Sequence, residues 1–322
     1  MNIKRIQITA ISILLAFGFT GCSFVGILQE SPFQTEGITL PTSAYPTGQT
    51  TVSTAPSTDP TESNAPTTEA AVIQPEPSDG DFVKVGKYIP DMVTDLRYAT
   101  ENNFTKQTIY DFTDAWLRYG TVKKLMLVQE ELKQRGYRLK IWDGFRPPSA
   151  QFKLWDVCPN PTYVANPNHG FSAHSRGNTV DVTLVYEDGT EPVMPTGFDD
   201  FSKLADRDYS DCSKEAADNA LLLEQLMIKH GFVPYFGEWW HFTDTQTYPV
   251  DQEFEPVAAA VYYAACNEYI SLRTKPSTGA EVITKILAGE EFMVVAETGE
   301  FAVVEYRGLF GYVLQSYMKP VI

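Results

Sequence analysis

The sequence predicts an α+β domain followed by a small all-β barrel, both behind a long unstructured lead. Three observations carry this reading. Between residues 82 and 250 helical and strand patterns alternate irregularly, without the βαβ rhythm of a parallel sheet. From about Ala260 the pattern changes to short strands separated by turn residues. The segment before residue 82 is rich in Thr, Ser and Pro and poor in the apolar residues a core needs. About 240 residues follow it, enough for two domains.

Residues 1–22 have the layout of an export signal. Lys4 and Arg5 precede an apolar run from Ile6 to Gly21 that is too short for a comfortable membrane span. The run ends Phe19-Thr20-Gly21-Cys22-Ser23, which resembles a lipobox with Cys22 as the residue that receives lipid. An ordinary secretory signal or an uncleaved anchor would share the layout. In each case the mature protein works outside the cytoplasm, and with lipid on Cys22 it is anchored to the cell membrane.

Residues 23–81 read as a disordered linker. From Gly26 to Phe82 there is no Lys, Arg or His, against eight acids: Glu30, Glu36, Asp59, Glu62, Glu69, Glu76, Asp79 and Asp81. Such a segment cannot bury enough apolar surface to offset the entropy of ordering it. As a coil it would span roughly 40 Å, holding a globular head away from a membrane. Its acids account for half of the formal charge of −16, so the acidity is partly a property of the tether. The charge argues against nucleic acid as a partner.

In the α+β domain, expected at residues 82–250, Thr121 begins a helical pattern with Val122, Leu125, Val128 and Leu132 on one face, closed by Gly136. A strand follows from Tyr137 to Trp142. A second helix is expected from Lys214 to His230, with Leu222, Leu223, Leu226 and Met227 as its core stripe and Gly231 after it. Phe232 to Phe242 then reads as strand. Residues 251–258 read as a linker. In the all-β domain, expected at 260–322, strands are expected at Tyr269–Arg273, Pro276–Gly279, Glu291–Glu297, Phe301–Tyr306 and Gly311–Leu314. Cys158, Cys212 and Cys266 show no C-x-x-C spacing. In an oxidising compartment Cys158 and Cys212 could pair, or all three could remain free thiols.

Two short segments carry the chemistry. Ser172-Ala173-His174-Ser175-Arg176-Gly177-Asn178-Thr179-Val180-Asp181 offers an imidazole and a carboxylate seven residues apart, with Gly177 allowing the chain to turn so that both converge. Glu238-Trp239-Trp240-His241 offers a second imidazole and a spare acid, in a chain with only four histidines. Two nitrogens and one oxygen leave one corner of a tetrahedral Zn²⁺ open, as in a catalytic rather than a structural site. If His241 ligates zinc, Glu238 falls beside the attacking water, whose proton a carboxylate can accept and later deliver to a leaving amine. Arg146, in Trp142-Asp143-Gly144-Phe145-Arg146-Pro147-Pro148, is a donor fork held at a strand end by two prolines, suited to stabilising an oxyanion. His169 is expected in a loop and His230 at a helix end, where a cation favours the helix dipole.

From about Phe82 to Asp244 the chain resembles the VanX-type D-alanyl-D-alanine dipeptidases of the zinc D,D-peptidase group. The resemblance rests on Leu96-Arg97-Tyr98-Ala99-Thr100-Glu101-Asn102-Asn103-Phe104-Thr105, Gly144-Phe145-Arg146-Pro147, Ser172-Ala173-His174-Ser175-Arg176-Gly177, Asp181 and Glu238-Trp239-Trp240-His241. It implies one Zn²⁺ per chain held by His174, Asp181 and His241. It also implies Glu238 as catalytic base and acid, Arg146 as transition-state stabiliser, and Ser172 lining the substrate pocket. Asp199, which Asp200 follows directly, would hold the substrate ammonium. The C-terminal sixty residues resemble a bacterial Src-homology-3-type domain through Ile270-Ser271-Leu272-Arg273-Thr274-Lys275-Pro276-Ser277, Leu287-Ala288-Gly289-Glu290 and Gly311-Tyr312-Val313, which implies cell-wall peptide or glycan as its partner.

The expected function is hydrolysis of D-Ala-D-Ala at the cell surface. A D,D-carboxypeptidase or endopeptidase acting on peptidoglycan stem peptides is the alternative enzyme. A wall-binding lipoprotein without activity is the alternative that the presence of Glu238 argues against, since binding alone needs no base.

Overall fold

The computed structural model describes residues 74–321, so the export signal with Cys22 and the linker as far as residue 73 lie outside the described residues. In chain order the first elements are β1 (Phe82–Lys84), α1 (Val85–Tyr88), β2 (Val93–Thr94), β3 (Trp116–Arg118), α2 (Tyr119–Lys133), β4 (Tyr137–Asp143), α3 (Pro148–Val157), β5 (Thr179–Tyr186), α4 (Lys214–Lys229), β6 (Phe232–Pro234) and β7 (His241–Asp244). Five of the strands form one sheet in the order β2-β4-β5-β7-β6, antiparallel except for the β2–β4 pair.

The expected helix stripes are the faces that pack on the rest of the domain. Val122, Leu125, Val128 and Leu132 of α2 are fully buried, as are Leu223 and Met227 of α4, while Leu226 is nearly so and Leu222 is half-buried. The side chain of Ser213 caps α4 by accepting from the Ala216 amide, satisfying one of the donors a helix start leaves open. Gly136 and Gly231 sit at positive φ just past the two helix ends, where a side chain would be strained.

The sheet's register does most to position the site. Asp181 of β5 lies directly opposite His241 of β7 on one side and Asp143 of β4 on the other. Cross-strand partners point to the same face with Cβ atoms about 5 Å apart, so one row across three strands brings two carboxylates and an imidazole together.

Phe232–Phe242 is not one strand. β6 stops at Pro234 and β7 starts at His241, and residues 235–240 form the loop of an antiparallel hairpin in which Pro234 faces Phe242. Proline removes a ladder donor and Gly237 lies in the turn, which explains the break. Glu238 is therefore a loop residue.

Strands β8 (Phe254–Ala264), β9 (Tyr269–Arg273), β10 (Val282–Leu287), β11 (Glu291–Thr298), β12 (Phe301–Tyr306), β13 (Leu309–Leu314) and β14 (Met318–Pro320) form a second, antiparallel sheet in the order β10-β9-β13-β12-β11-β8-β14. The whole is thus α+β followed by all-β, as expected. Pro276–Gly279 is a turn, held by the Ala280 amide on Ser277 O, and the strand in this region is β10. The stretch read as a linker, 251–258, is half occupied by β8. Phe254 stacks on Phe82 of β1, which pairs with β3 in a separate two-stranded sheet, with centroids 4.2 Å apart. Val295, Ala296 and Val303 share one apolar cluster with Val180 and Val182 of β5, so the two larger sheets meet through a common core. Cys158, Cys212 and Cys266 are free and half-buried.

Candidate metal and catalytic centre

His174 sits on a short 3-10 turn, Ala173–Arg176, that enters β5. The hydroxyl of Ser172 accepts from the His174 amide (3.3 Å) and so caps this turn. Gly177 closes it at φ 75°, and a Cβ there would collide with the Phe82 ring, so this position needs glycine twice over. The spacing of His174 and Asp181 is thus one tight turn followed by the first residues of a strand.

Nδ1 of His174 lies 2.8 Å from the carbonyl oxygen of Gly144. A carbonyl only accepts, so Nδ1 carries a hydrogen, which leaves Nε2, 3.4 Å from Asp181 Oδ2, as the nitrogen able to ligate a metal. Nδ1 of His241 is 3.0 Å from Asp181 Oδ1. One donor atom from each of the three residues falls within 4.8 Å of the others. Asp181 is buried, and its Oδ1 has no well-aligned hydrogen-bond donor among the described residues although His241 Nδ1 is close. A buried carboxylate whose two oxygens each face an imidazole nitrogen, one of them without an aligned donor, is costly for a protein alone and suits a divalent cation. The donor set of two nitrogens and one oxygen fits zinc.

The charges respond accordingly. Burial alone would raise the pKa of Asp181, but His174 and His241 outweigh it and hold the carboxyl well below its ordinary range. Glu238 moves the opposite way, its pKa pushed up by burial and by the charge of Asp181. Its Oε2 lies 3.5 Å from Nδ1 of His241, and its side chain stays 29% exposed. Trp239 and Trp240 are core residues. Trp239 Nε1 donates to Thr196 Oγ1 (3.0 Å), and the Trp240 carbonyl accepts from the Val182 amide (3.0 Å), which pins the loop of Glu238 to β5.

Arg146 is buried, not a surface residue. Nη2 donates to Asp143 Oδ2 (2.6 Å), Nε to Tyr110 Oη (3.2 Å) and Nη1 to Gln151 Oε1 (3.2 Å). Burial works against its charge, and the Tyr110 and Asp143 oxygens outweigh burial and raise its pKa. Asp143 in turn accepts from Tyr110 Oη (2.7 Å) and the Gly144 amide (2.9 Å), and its Oδ2 lies 3.6 Å from Nδ1 of His174. It links the arginine to the histidine. Sequence reasoning missed it, along with Tyr110, Gln151 and Tyr98; its only signal was its place three residues before Arg146.

The structure separates Asp199 from Asp200. Asp200 accepts from the Ser202 amide in an exposed turn. Asp199 sits at φ 54°, a strained backbone that Asp tolerates better than most residues, and accepts from Tyr98 Oη (2.9 Å). Arg146 lies over the same Tyr98 ring, 4.9 Å from its centroid. Burial, and then the charge of Asp181, push the Asp199 carboxyl up to about 8. Of the two histidines given no role, His230 ends α4 and pairs with Glu131 (2.7 Å) and His169 lies in a loop.

The raised Asp199 pKa has a stability consequence. Above its unfolded pKa near 4 the unfolded chain releases a proton that the folded, metal-free protein retains until about pH 8. Stability therefore falls across that window, by up to about 1.4 kcal/mol per pH unit. In chelator-treated protein Asp199→Asn should melt close to wild type at pH 4 and above it at pH 8. Parallel melting curves at the two pH values would refute the assignment.

Residues 78–260 match the M15 peptidase family, described as D-ala-D-ala dipeptidase, and residues 268–319 match the bacterial SH3 domain. The D-alanyl-D-alanine dipeptidase of Escherichia coli (strain K12) is 34% identical over 172 residues, covering 53% of this chain and 89% of that protein. The Streptomyces coelicolor enzyme of the same name is 31% identical over 204 residues, covering 56% of this chain and 99% of that protein. That of Enterococcus faecium is 31% identical over 169 residues, covering 46% and 83%.

Proposed function

Because this chain belongs to the M15 peptidase family described as D-ala-D-ala dipeptidase, we propose that it is a zinc-dependent hydrolase of D-alanyl-D-alanine, exported and held at the cell surface. His174, Asp181 and His241 hold the metal. A Zn²⁺ there supplies Lewis acidity toward the peptide carbonyl and lowers the pKa of water. Glu238 takes a proton from the attacking water and passes it to the departing amine, a shuttle for which its raised pKa suits it. Three of the five N–H donors of Arg146 have protein partners, which leaves two for the carbonyl oxygen as charge builds on it. Asp199, steadied by Tyr98, binds the substrate ammonium, and that cation returns its carboxyl to the charged form. Lipid on Cys22 anchors the chain, and the C-terminal domain binds the cell wall.

The observation that carries the reading is the buried carboxylate of Asp181 set between two imidazoles, Oδ2 3.4 Å from His174 Nε2 and Oδ1 3.0 Å from His241 Nδ1, with Glu238 beside the second. The test uses purified protein with D-Ala-D-Ala and, separately, a stem pentapeptide ending in the same pair. The dipeptide should be cleaved with the higher kcat/KM, activity should vanish on chelation, and zinc should restore it. Faster cleavage of the pentapeptide would replace the reading by a D,D-carboxypeptidase, and activity indifferent to chelator would remove the metal from it.

A further inference from the structure

The loop that carries Glu238 and His241 is held from outside. Its own backbone bonds run from 3.1 to 3.3 Å: the Tyr235 amide to His241 O is 3.1 Å, the Glu238 amide to Tyr235 O is 3.3 Å, and the His241 amide to Glu238 O is 3.3 Å. The grip comes from Arg207, whose side chain is only 6% exposed. All five of its guanidinium N–H donors have partners. Nε donates to the Tyr235 carbonyl (2.8 Å), and Nη2 donates to the carbonyls of both Glu238 (3.0 Å) and His241 (3.0 Å). Nη1 donates to Glu224 Oε2 (2.7 Å) and Tyr209 Oη (3.2 Å). Tyr209 also donates to Glu224 (2.8 Å), and the guanidinium lies over the Phe242 ring at 4.5 Å. The backbone adds two more ties, from the Arg207 amide to Phe236 O (3.0 Å) and from the Trp239 amide to Ala205 O (2.9 Å).

Three of those donors end on carbonyls of one loop, two of them on the residues whose side chains do the chemistry. A planar fork fixes the distance between the acceptors it bridges, whereas an ammonium on a flexible stem does not. We propose that Arg207 is a positioning residue: it sets the spacing between the base Glu238 and the ligand His241, and through it both metal affinity and turnover, without touching substrate. The inference rests on the roles given to those two residues above.

The test compares wild type with Arg207→Lys, Arg207→Ala and Glu224→Gln, reading kcat and KM on D-Ala-D-Ala, the zinc dissociation constant by chelator competition, and the melting temperature. Arg207→Lys and Arg207→Ala should each lose about 10- to 100-fold in kcat and in zinc affinity, as loss of groups that orient metal ligands generally does, with little change in KM. Added guanidinium should restore part of the kcat of Arg207→Ala. If either variant folds and keeps wild-type kcat and zinc affinity per folded molecule, Arg207 only stabilises and the inference falls. If neither folds, Glu224→Gln, which keeps the fork but loosens its anchor, is read the same way. A wild type that binds no zinc and cleaves nothing would instead sink the functional reading itself.

Discussion

Replacing Glu238 with Gln should lower kcat on D-Ala-D-Ala by about 10²- to 10⁴-fold, the range a positioned general base contributes. The substitution keeps the size of the side chain and removes only its capacity to hold a proton. The Glu238 carboxylate makes no hydrogen bond to the loop among the described residues: it lies 3.5 Å from Nδ1 of His241, while the loop is pinned through its backbone, by the Trp pair and by Arg207. Melting temperature should therefore change little. Zinc should stay bound, because His174, Asp181 and His241 are untouched. KM should also hold, since the proton moves only on the way to the transition state, and an interaction made only there shows in kcat. Activity above a few per cent of wild type in protein with full zinc occupancy would show that another group moves the proton.

The parts of this site that could be read from the sequence are those whose chemistry is rare in it. With four histidines in the chain, two of them near carboxylates at tight spacing stood out, and the structure brings those two and Asp181 to one place. The groups that hold them were not legible. Asp143 before Gly144 looks like any strand-end turn, and its meaning comes from lying opposite Asp181 across the sheet, a register that local pattern does not carry. Arg207 was less legible still, because its partners in the loop are backbone carbonyls, which every residue has. Helix stripes transferred well, since periodicity reports burial directly. The errors came at punctuation. The aromatic-rich stretch from Phe232 to Phe242 hides a hairpin marked only by Pro234 and Gly237, and Pro276-Ser277-Thr278-Gly279, expected as a strand, has residues that favour a turn. The stretch read as linker failed for a different reason. Phe254 is buried by contacts with Phe82 and Phe145, far away in sequence, and nothing local announces that.

Arg146→Ala should be the most damaging change in two respects, and the two can be separated. Loss of a donor aimed at developing charge costs about 10²- to 10³-fold in kcat. Stability falls as well, because Asp143, fully buried, loses its cation, and breaking a buried pair in this way costs about 3–5 kcal/mol. A second substitution, Asp143→Asn in the Arg146→Ala background, removes the stranded charge while leaving an oxygen to accept from Tyr110 Oη and the Gly144 amide. Much of the lost melting temperature should return in the double variant, as expected when both partners of a pair are neutralised. The kcat should stay low, because no cation faces the carbonyl. If the double variant regains turnover along with stability, Arg146 serves the fold alone and the oxyanion has another partner. If stability stays lost while Asp143→Asn by itself is harmless, the packing of the guanidinium over Tyr98 and against Gln151, rather than its charge, is what the fold requires.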